Sequence, residues 1–390
     1  DDKTLLILFF DIKFISIQTM KYFRFKHPNR CLVSLSADQQ QSLHELEEDI
    51  KTGKINFIPT FCPCESEDEV TISESDLLGV YFRYVICRGC GIIRANPYMD
   101  SESLIIFYEK YYEVLYHGDS GTSKSDLDEH SSITMDMMKK EFETSAKFAE
   151  TYTVPFADVG EGKNILMIGG RSGGRLYPFL ENGNNCTVVD FDLNRIKYAR
   201  SRGLTSFSGD YKKIDFGSSY DLIICDHSFE HFLDIKTEVA GLSKLLTSKG
   251  RLLISIPAGS NLHSLYNFAD SRMEFKLCHN YLFSKRSFVN LINSFGFSLI
   301  KSDYLAHQMN LVTIFEKNEI DETTFNKGTL RDKGAYKEQI RTIVKAELLY
   351  WFYRLIRLRK LKEKLGPRLK NINIIFKLYK MIFFKGVKTN

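Results

Sequence analysis

From about residue 155 onward, short apolar runs alternate with amphipathic ones, and this alternation restricts the fold more than any other feature of the chain. Asn164 to Ile168, Cys186 to Val189, Leu204 to Phe207, Asp221 to Cys225, Arg251 to Ile256, Phe297 to Ile300 and Asn310 to Phe315 read as strands. Leu176 to Glu181, Leu193 to Arg202, Ile235 to Leu246 and Lys285 to Phe295 read as the helices between them. Strands and helices in turn predict a mostly parallel, seven-stranded α/β sheet covered by helices on both faces. Ligands of such sheets sit beyond the carboxyl ends of the strands.

The chain has 390 residues, room for roughly two to three domains. With 43% hydrophobic and 26% charged residues it is neither collagen-like nor a disordered chain. Eight cysteines are too few for a disulfide-stapled scaffold of this length. No run of about 20 uninterrupted apolar residues is present, so no spanning helix is expected. The opening residues, Asp1-Asp2-Lys3 and then Leu5 to Ile17, do not read as a secretory signal. A cytoplasmic protein is therefore expected. We find no internal repeat.

Ahead of the sheet, Ser42 to Ile50 is helical in pattern, and Ser103 to Tyr116 and Thr134 to Thr151 are two further predicted helices. Residues 117–133 read as a polar linker. Cys62-Pro63-Cys64 and Cys87-Arg88-Gly89-Cys90-Gly91 flank a β-rich stretch, Tyr81 to Ile86. Cys62, Cys64, Cys87 and Cys90 are candidate ligands of a structural zinc ion, which takes four sulfur or nitrogen donors on tight turns. The pair Cys87 and Cys90 has the usual spacing. The one-residue gap between Cys62 and Cys64 is shorter than usual. The expected organisation is an N-terminal segment (1–55), a zinc-binding ribbon (56–100), a helical cap (101–154), the sheet domain (155–320) and a basic helical tail (321–390).

The tail is distinct in charge. From Arg331 to Asn390 the balance is +13, which leaves the preceding residues at −9. Tyr336 to Leu365 reads as an amphipathic helix stopped by Gly366-Pro367, and Lys370 to Lys385 as a second basic, aromatic segment. Such a tail suits an anionic membrane surface or a larger assembly, or packs on the body.

The chemistry is concentrated at one end of the predicted sheet. The first strand runs into Gly169-Gly170-Arg171-Ser172-Gly173-Gly174, a turn where small residues let the backbone approach a ligand. The second strand ends at Asp190, where a carboxylate can accept both hydroxyls of a ribose. Asp210 follows the third strand. The fourth strand ends in Cys225-Asp226-His227-Ser228-Phe229-Glu230-His231, and Thr247-Ser248-Lys249-Gly250-Arg251-Leu252-Leu253-Ile254 opens the fifth.

In the order and spacing of these pieces, residues 155 to 316 resemble the class I S-adenosylmethionine-dependent methyltransferases. The resemblance implies a Rossmann-like fold and S-adenosylmethionine as cofactor, held by Gly169, Gly170, Arg171, Gly173, Asp190, Asp210 and Asp226. Two positions depart from the family pattern. Met167 stands where an acid usually anchors the cofactor's ammonium group, and Arg171 stands where the pattern has glycine. His227, Glu230, His231 and His279 are candidates for catalysis, because imidazole and carboxylate groups move protons near neutral pH. The spelling His227-x-x-Glu230-His231 also matches a zinc-peptidase pattern, but that needs both histidines on one helical face, whereas His227 falls at a strand end.

With the cysteine-rich unit in front, residues 60 to 316 resemble bacterial methyltransferases of sugars and surface glycans. That implies O- or C-methylation of a carbohydrate, as a nucleotide sugar or a glycan under assembly in a polysaccharide pathway. A methyltransferase fold retained as a non-catalytic scaffold, and an RNA methyltransferase, are the competing readings. The acidic body argues against nucleic acid. A nicotinamide dinucleotide would want a second ordered mononucleotide half, which is missing here.

Overall fold

The computed structural model describes residues 31–117, 135–262, 271–305, 310–318 and 325–355. The expectations for residues 1–30, the linker at 117–133 beyond His117, and the tail from residue 356 onward therefore lie outside the described residues.

The described residues form thirteen strands: β1 (Phe57–Ile58), β2 (Glu69–Ser75), β3 (Tyr81–Cys87), β4 (Ile93–Ala95), β5 (Tyr98–Met99), β6 (Asn164–Ile168), β7 (Asn185–Asp190), β8 (Thr205–Ser208), β9 (Tyr220–Asp226), β10 (Leu246–Pro257), β11 (Tyr281–Leu282), β12 (Phe297–Leu305) and β13 (Asn310–Lys317). Seven of them form one sheet in the order β12-β13-β10-β9-β6-β7-β8. Only β13 runs against its neighbours. This is the expected α/β, Rossmann-like sheet.

Side-chain alternation explains how it is covered. Leu166, Ile168, Val189, Ile223, Cys225, Leu252 and Ile254 point into the core on one face. Ile165, Met167, Val188, Leu222, Ile224 and Leu253 point into the core on the other. With both faces buried, the strands are continuous apolar runs, which is why they were legible. Helices start where short polar side chains satisfy free amides. Asp192 caps Leu193–Ser201 by accepting from the amides of Asn194 (2.9 Å) and Arg195 (3.0 Å). Ser284 caps Lys285–Asn293 by accepting from Ser287 N. The predicted helix at Leu176 to Glu181 is shorter than expected: a 3-10 turn, Gly174–Leu176, precedes Tyr177–Glu181.

The smaller sheet, β11-β4-β3-β2, was not foreseen in its membership. Tyr281 and Leu282 leave the region of the large sheet and pair with Arg94 and Ile93. A two-residue strand carries no periodicity to read. The cysteine-rich unit is thereby stitched to the large sheet, and Cys62, Cys64, Cys87 and Cys90 share a core with Leu166, Phe229 and Phe283.

Two long helical segments flank the sheet. Ser101–Phe107 continues through a π turn, Tyr108–Tyr112, into Glu113–His117. Met135–Phe148 likewise continues through Ala149–Thr153 into Val154–Ala157. The C-terminal helix, Lys333–Leu355, lies on the body: Ala335, Gln339, Ile343 and Ala346 are buried. Gln339 Nε2 donates to the Gly259 carbonyl at 2.9 Å. No helix among the described residues is long and apolar enough to cross a membrane.

Candidate active site

The strand order reverses between β6 and β9, and the loop leaving β6 lies at that switch point. The amides of Gly169 and Gly170 both donate to the Val189 carbonyl, at 2.9 and 3.2 Å. The loop is thus held against the end of β7. Gly173 has φ +81°, and a Cβ there would meet Leu204 Cδ1 at 2.4 Å. A Cβ on Gly174 would meet the Phe142 carbonyl oxygen at 2.3 Å. Glycine is therefore required at both places. Arg171 has φ +51°, in the left-handed region that favours glycine.

Asp190 ends β7 and turns back onto this loop. Its Oδ2 accepts the Arg171 amide at 2.8 Å and its Oδ1 the Asp192 amide at 3.0 Å. Burial raises its pKa above the ordinary aspartate range, against the opposing pull of those two amides. Gly209 N donates to the Asp190 carbonyl at 3.0 Å, so the turn bearing Asp210 lies beside it. Asp210 itself caps a short turn by accepting the Lys212 amide at 3.0 Å. Next to this half-buried acid, Phe191 is 75% and Leu193 55% exposed. A Cβ on Gly209 would meet nothing within 4 Å. An acid flanked by open apolar surface and open space offers the acceptors and the room that an adenosine group needs. Phe191 and Leu193 escaped the sequence reading, although two apolar residues directly after a strand-ending acid were a usable signal.

Arg171 neither crowds the loop nor projects free. Its Nη2 lies 3.2 Å from Glu113 Oε1 and its Nη1 4.0 Å from Glu141 Oε2. Arg195 meets the same two carboxylates at 3.0 and 3.3 Å, and Ser172 Oγ donates to Glu141 at 2.8 Å. The two flanking helices therefore grip the loop through charge. Asp226, at the end of β9, is paired with Arg175 Nε at 2.6 Å. Met167 is buried in the core below.

The histidines and Glu230 come together at the end of β9. His227 has φ +51°, and its amide donates to the Ser255 carbonyl at 2.9 Å. Its Nδ1 lies 3.3 Å from Glu230 Oε1. Burial works against the charge on His227, but Glu230 outweighs it and the imidazole titrates above its usual range. Burial likewise opposes the charge on Glu230, yet the hydrogen bond from His227 and the neighbouring imidazoles lower it to about 2. His231 sits in a single 3-10 turn, Phe229–His231, so the two histidines share no helical face. Its Nδ1 lies 2.5 Å from the Cys278 carbonyl, which fixes the proton there, and 3.0 Å from Tyr108 Oη. His279 is buried 5.2 Å from His231, centroid to centroid, and burial depresses its pKa well below the usual value. Tyr108 was visible in sequence only as part of an aromatic helix.

The four cysteines of the small unit also converge. The Sγ pairs Cys62–Cys64, Cys62–Cys90 and Cys64–Cys87 are 3.5, 3.3 and 3.5 Å apart, and all four are buried. Tetrahedral zinc, with Zn–S near ~2.3 Å, sets its sulfurs ~3.8 Å apart. The donors fit zinc, and the short Cys62–Cys64 gap is no obstacle to their meeting.

Residues 145–302 match a family model described as a methyltransferase domain. The chain thus carries a methyltransferase domain and is an enzyme. No curated protein matches it. Among solved structures, the 1,6-didemethyltoxoflavin-N1-methyltransferase of Burkholderia thailandensis is 17% identical, with a TM-score of 0.36, over 45% of this chain and 79% of that one. The magnesium protoporphyrin IX methyltransferase of Synechocystis is 13% identical, with a TM-score of 0.36, over 48% and 90%. A glycopeptide N-methyltransferase complexed with S-adenosylmethionine is 13% identical, with a TM-score of 0.35, over 45% and 94%.

Proposed function

We propose that this enzyme transfers a methyl group from S-adenosylmethionine to an oxygen or carbon of a carbohydrate acceptor. A nucleotide sugar or a glycan of a surface-polysaccharide pathway is the acceptor class. One observation carries the cofactor assignment: the half-buried Asp190 carboxylate, bent onto the Gly169–Gly173 loop and bordered by the exposed Phe191 and Leu193. Asp190 would take ribose hydroxyls on its free lone pairs, with the apolar pair against the adenine and Asp210 near its amino edge. The loop amides would face the methionine portion. When bound, the sulfonium supplies an electrophilic methyl carbon.

The chain's own part is positioning and proton transfer. His227 is 36% exposed in its side chain while Glu230 is 1% exposed. His227 therefore reaches the acceptor, and Glu230 orients it and stabilises its protonated form. It would remove the proton of a hydroxyl, or of a carbon acid as the enolate forms. Arg175 holds Asp226 in place at the same mouth. We further propose one structural zinc on Cys62, Cys64, Cys87 and Cys90, in a ribbon spanning 56–100 ahead of the domain at 155–320. The carbohydrate assignment rests on the resemblance of that two-part architecture to sugar methyltransferases.

Calorimetry with S-adenosylmethionine, followed by mass spectrometry of a nucleotide-sugar panel, tests this reading. A gain of one methyl on a panel member is the expected result. Failure of the folded protein to bind at millimolar cofactor would favour a scaffold role. Methylation of RNA in place of any sugar would replace the acceptor class.

A further inference from the structure

We propose that His231, Cys278 and His279 hold a second metal ion, zinc by the chemistry of its donors, beneath the carboxyl end of β9. One donor atom from each of the three residues lies within 4.8 Å of the others. Cys278 and His279 are 2% and 6% exposed. The His231 proton is committed through Nδ1 to the Cys278 carbonyl, which leaves Nε2 with a lone pair for an ion.

An independent observation marks the same spot. His279 Nδ1, Glu230 Oε2 and Asn280 Oδ1 are all buried without a hydrogen-bond partner among the described residues. Two of the three residues are adjacent in sequence, and the third is tied to them through the backbone. The Asn280 backbone amide donates to the Glu230 carbonyl at 2.9 Å, and the rings of His231 and His279 lie 5.2 Å apart, centroid to centroid. Interiors rarely leave a polar atom unpaired, and each one costs about 1–3 kcal/mol. His279, which carries one of them, belongs to the donor triad itself, so its unpaired nitrogen calls for a polar partner there.

Two imidazoles and a thiolate, with a carboxylate at hand, form a donor set suited to tetrahedral zinc and poorly suited to magnesium or calcium. A ligand spacing of up to 4.8 Å must close by about 1 Å around an ion, which small side-chain rotations supply. Glu230 would serve both sides, with Oε1 toward His227 and Oε2 toward the ion. The ion would pin the Phe229–His231 turn to the 278–279 segment, and so fix the floor under His227. This inference is independent of the methyl acceptor and of the cofactor reading.

Elemental analysis of the full chain, purified after zinc-supplemented expression, tests the site. About two zinc per chain are expected. Cys278→Ser and His279→Ala should each lower the content to about one, as should the double change Cys87→Ser with Cys90→Ser. Cobalt substitution gives a second readout. The tetrathiolate charge-transfer bands should persist in Cys278→Ser and His279→Ala, while the weaker mixed nitrogen–sulfur bands disappear. A single zinc lost only in the Cys278 and His279 variants would uphold this site and remove the cysteine cluster. A single zinc that survives both of those changes would overturn the proposal and leave buried water as the occupant. Two zinc retained in both variants would overturn it equally.

Discussion

The carboxylate of Asp190 accepts the backbone amide of Arg171 across 2.8 Å, tying the end of β7 to the loop that leaves β6. A single half-buried acid thus shapes the loop and keeps lone pairs for a ligand. Asp190→Ala should strand the amides of Arg171 and Asp192, at a cost of about 1–3 kcal/mol in stability. It should also weaken S-adenosylmethionine binding by at least about tenfold. Asp190→Asn restores one acceptor and most of the stability, but not the affinity. Thermal melts and calorimetry check the pair. Unchanged affinity in Asp190→Ala would remove the ribose assignment.

Arg171 and Gly174 should respond in opposite ways to a change of side chain. Arg171→Gly relieves a left-handed backbone worth about 1–2 kcal/mol. It gives up ion pairs of a 40%-exposed guanidinium, worth under about 1 kcal/mol. Stability should stay within about 1 kcal/mol of the parent. Gly174→Ala drives a Cβ to 2.3 Å from the Phe142 carbonyl oxygen and pushes the helix Met135–Phe148 off the loop. A loss of about 2 kcal/mol or more is expected, read from urea titration. Near-neutral behaviour of Gly174→Ala would show that this helix yields freely.

The start of the C-terminal helix is built on the cysteine unit. Arg331 Nε donates to the Cys64 carbonyl at 3.1 Å and Asp332 N to the Gly89 carbonyl at 2.8 Å. A Cβ on Gly91 would lie 2.6 Å from the backbone of Ala335, so the two segments touch there. Loss of the proposed zinc from the four cysteines should release this contact. Trypsin should then cut at Arg331 or Lys333 about tenfold faster in the Cys87→Ser, Cys90→Ser protein than in the parent. Identical cleavage rates would mean that the helix docks without help from the metal.

Asp76 should make stability fall as pH rises. Its carboxyl is buried and pushed up to about 8, although the amides of Leu78 and Val80 donate to Oδ1. In the unfolded chain the same group ionises near its ordinary 3.8. Between those two values the unfolded state has lost its proton and the folded state has kept it. Folding is therefore progressively disfavoured from about pH 4 to about 8, and flat beyond. Asp76→Asn removes this dependence. Melting temperatures of the two proteins at pH 5 and pH 8 check it: the drop in the parent should exceed the drop in the variant, and equal drops would exclude Asp76 as a source.

Much of the molecule could be read from local pattern, and some of it could not. The run Leu222 to Cys225 announces a strand buried on both faces, and Asp190 announces itself as an acid ending another. Cys62, Cys64, Cys87 and Cys90 suggested a metal, and their convergence is geometric fact in the fold. No local signal pairs Tyr281 and Leu282 with Arg94 and Ile93. None joins Arg175 to Asp226, or sets His279 beside His231.

The amino-acid order alone determined the alternation of strands and helices, and with it the parallel sheet and the end at which ligands gather. Those are properties of backbone chirality and of which face of each element is apolar, and both are written within a few turns of chain. The folded structure alone decided that Arg171 is drawn aside by Glu113 and Glu141, and that His231 lies beside both His279 and Tyr108. Such contacts join residues far apart in the chain. Their energies depend on burial and on separations of a few ångströms, which exist only once the layers have packed.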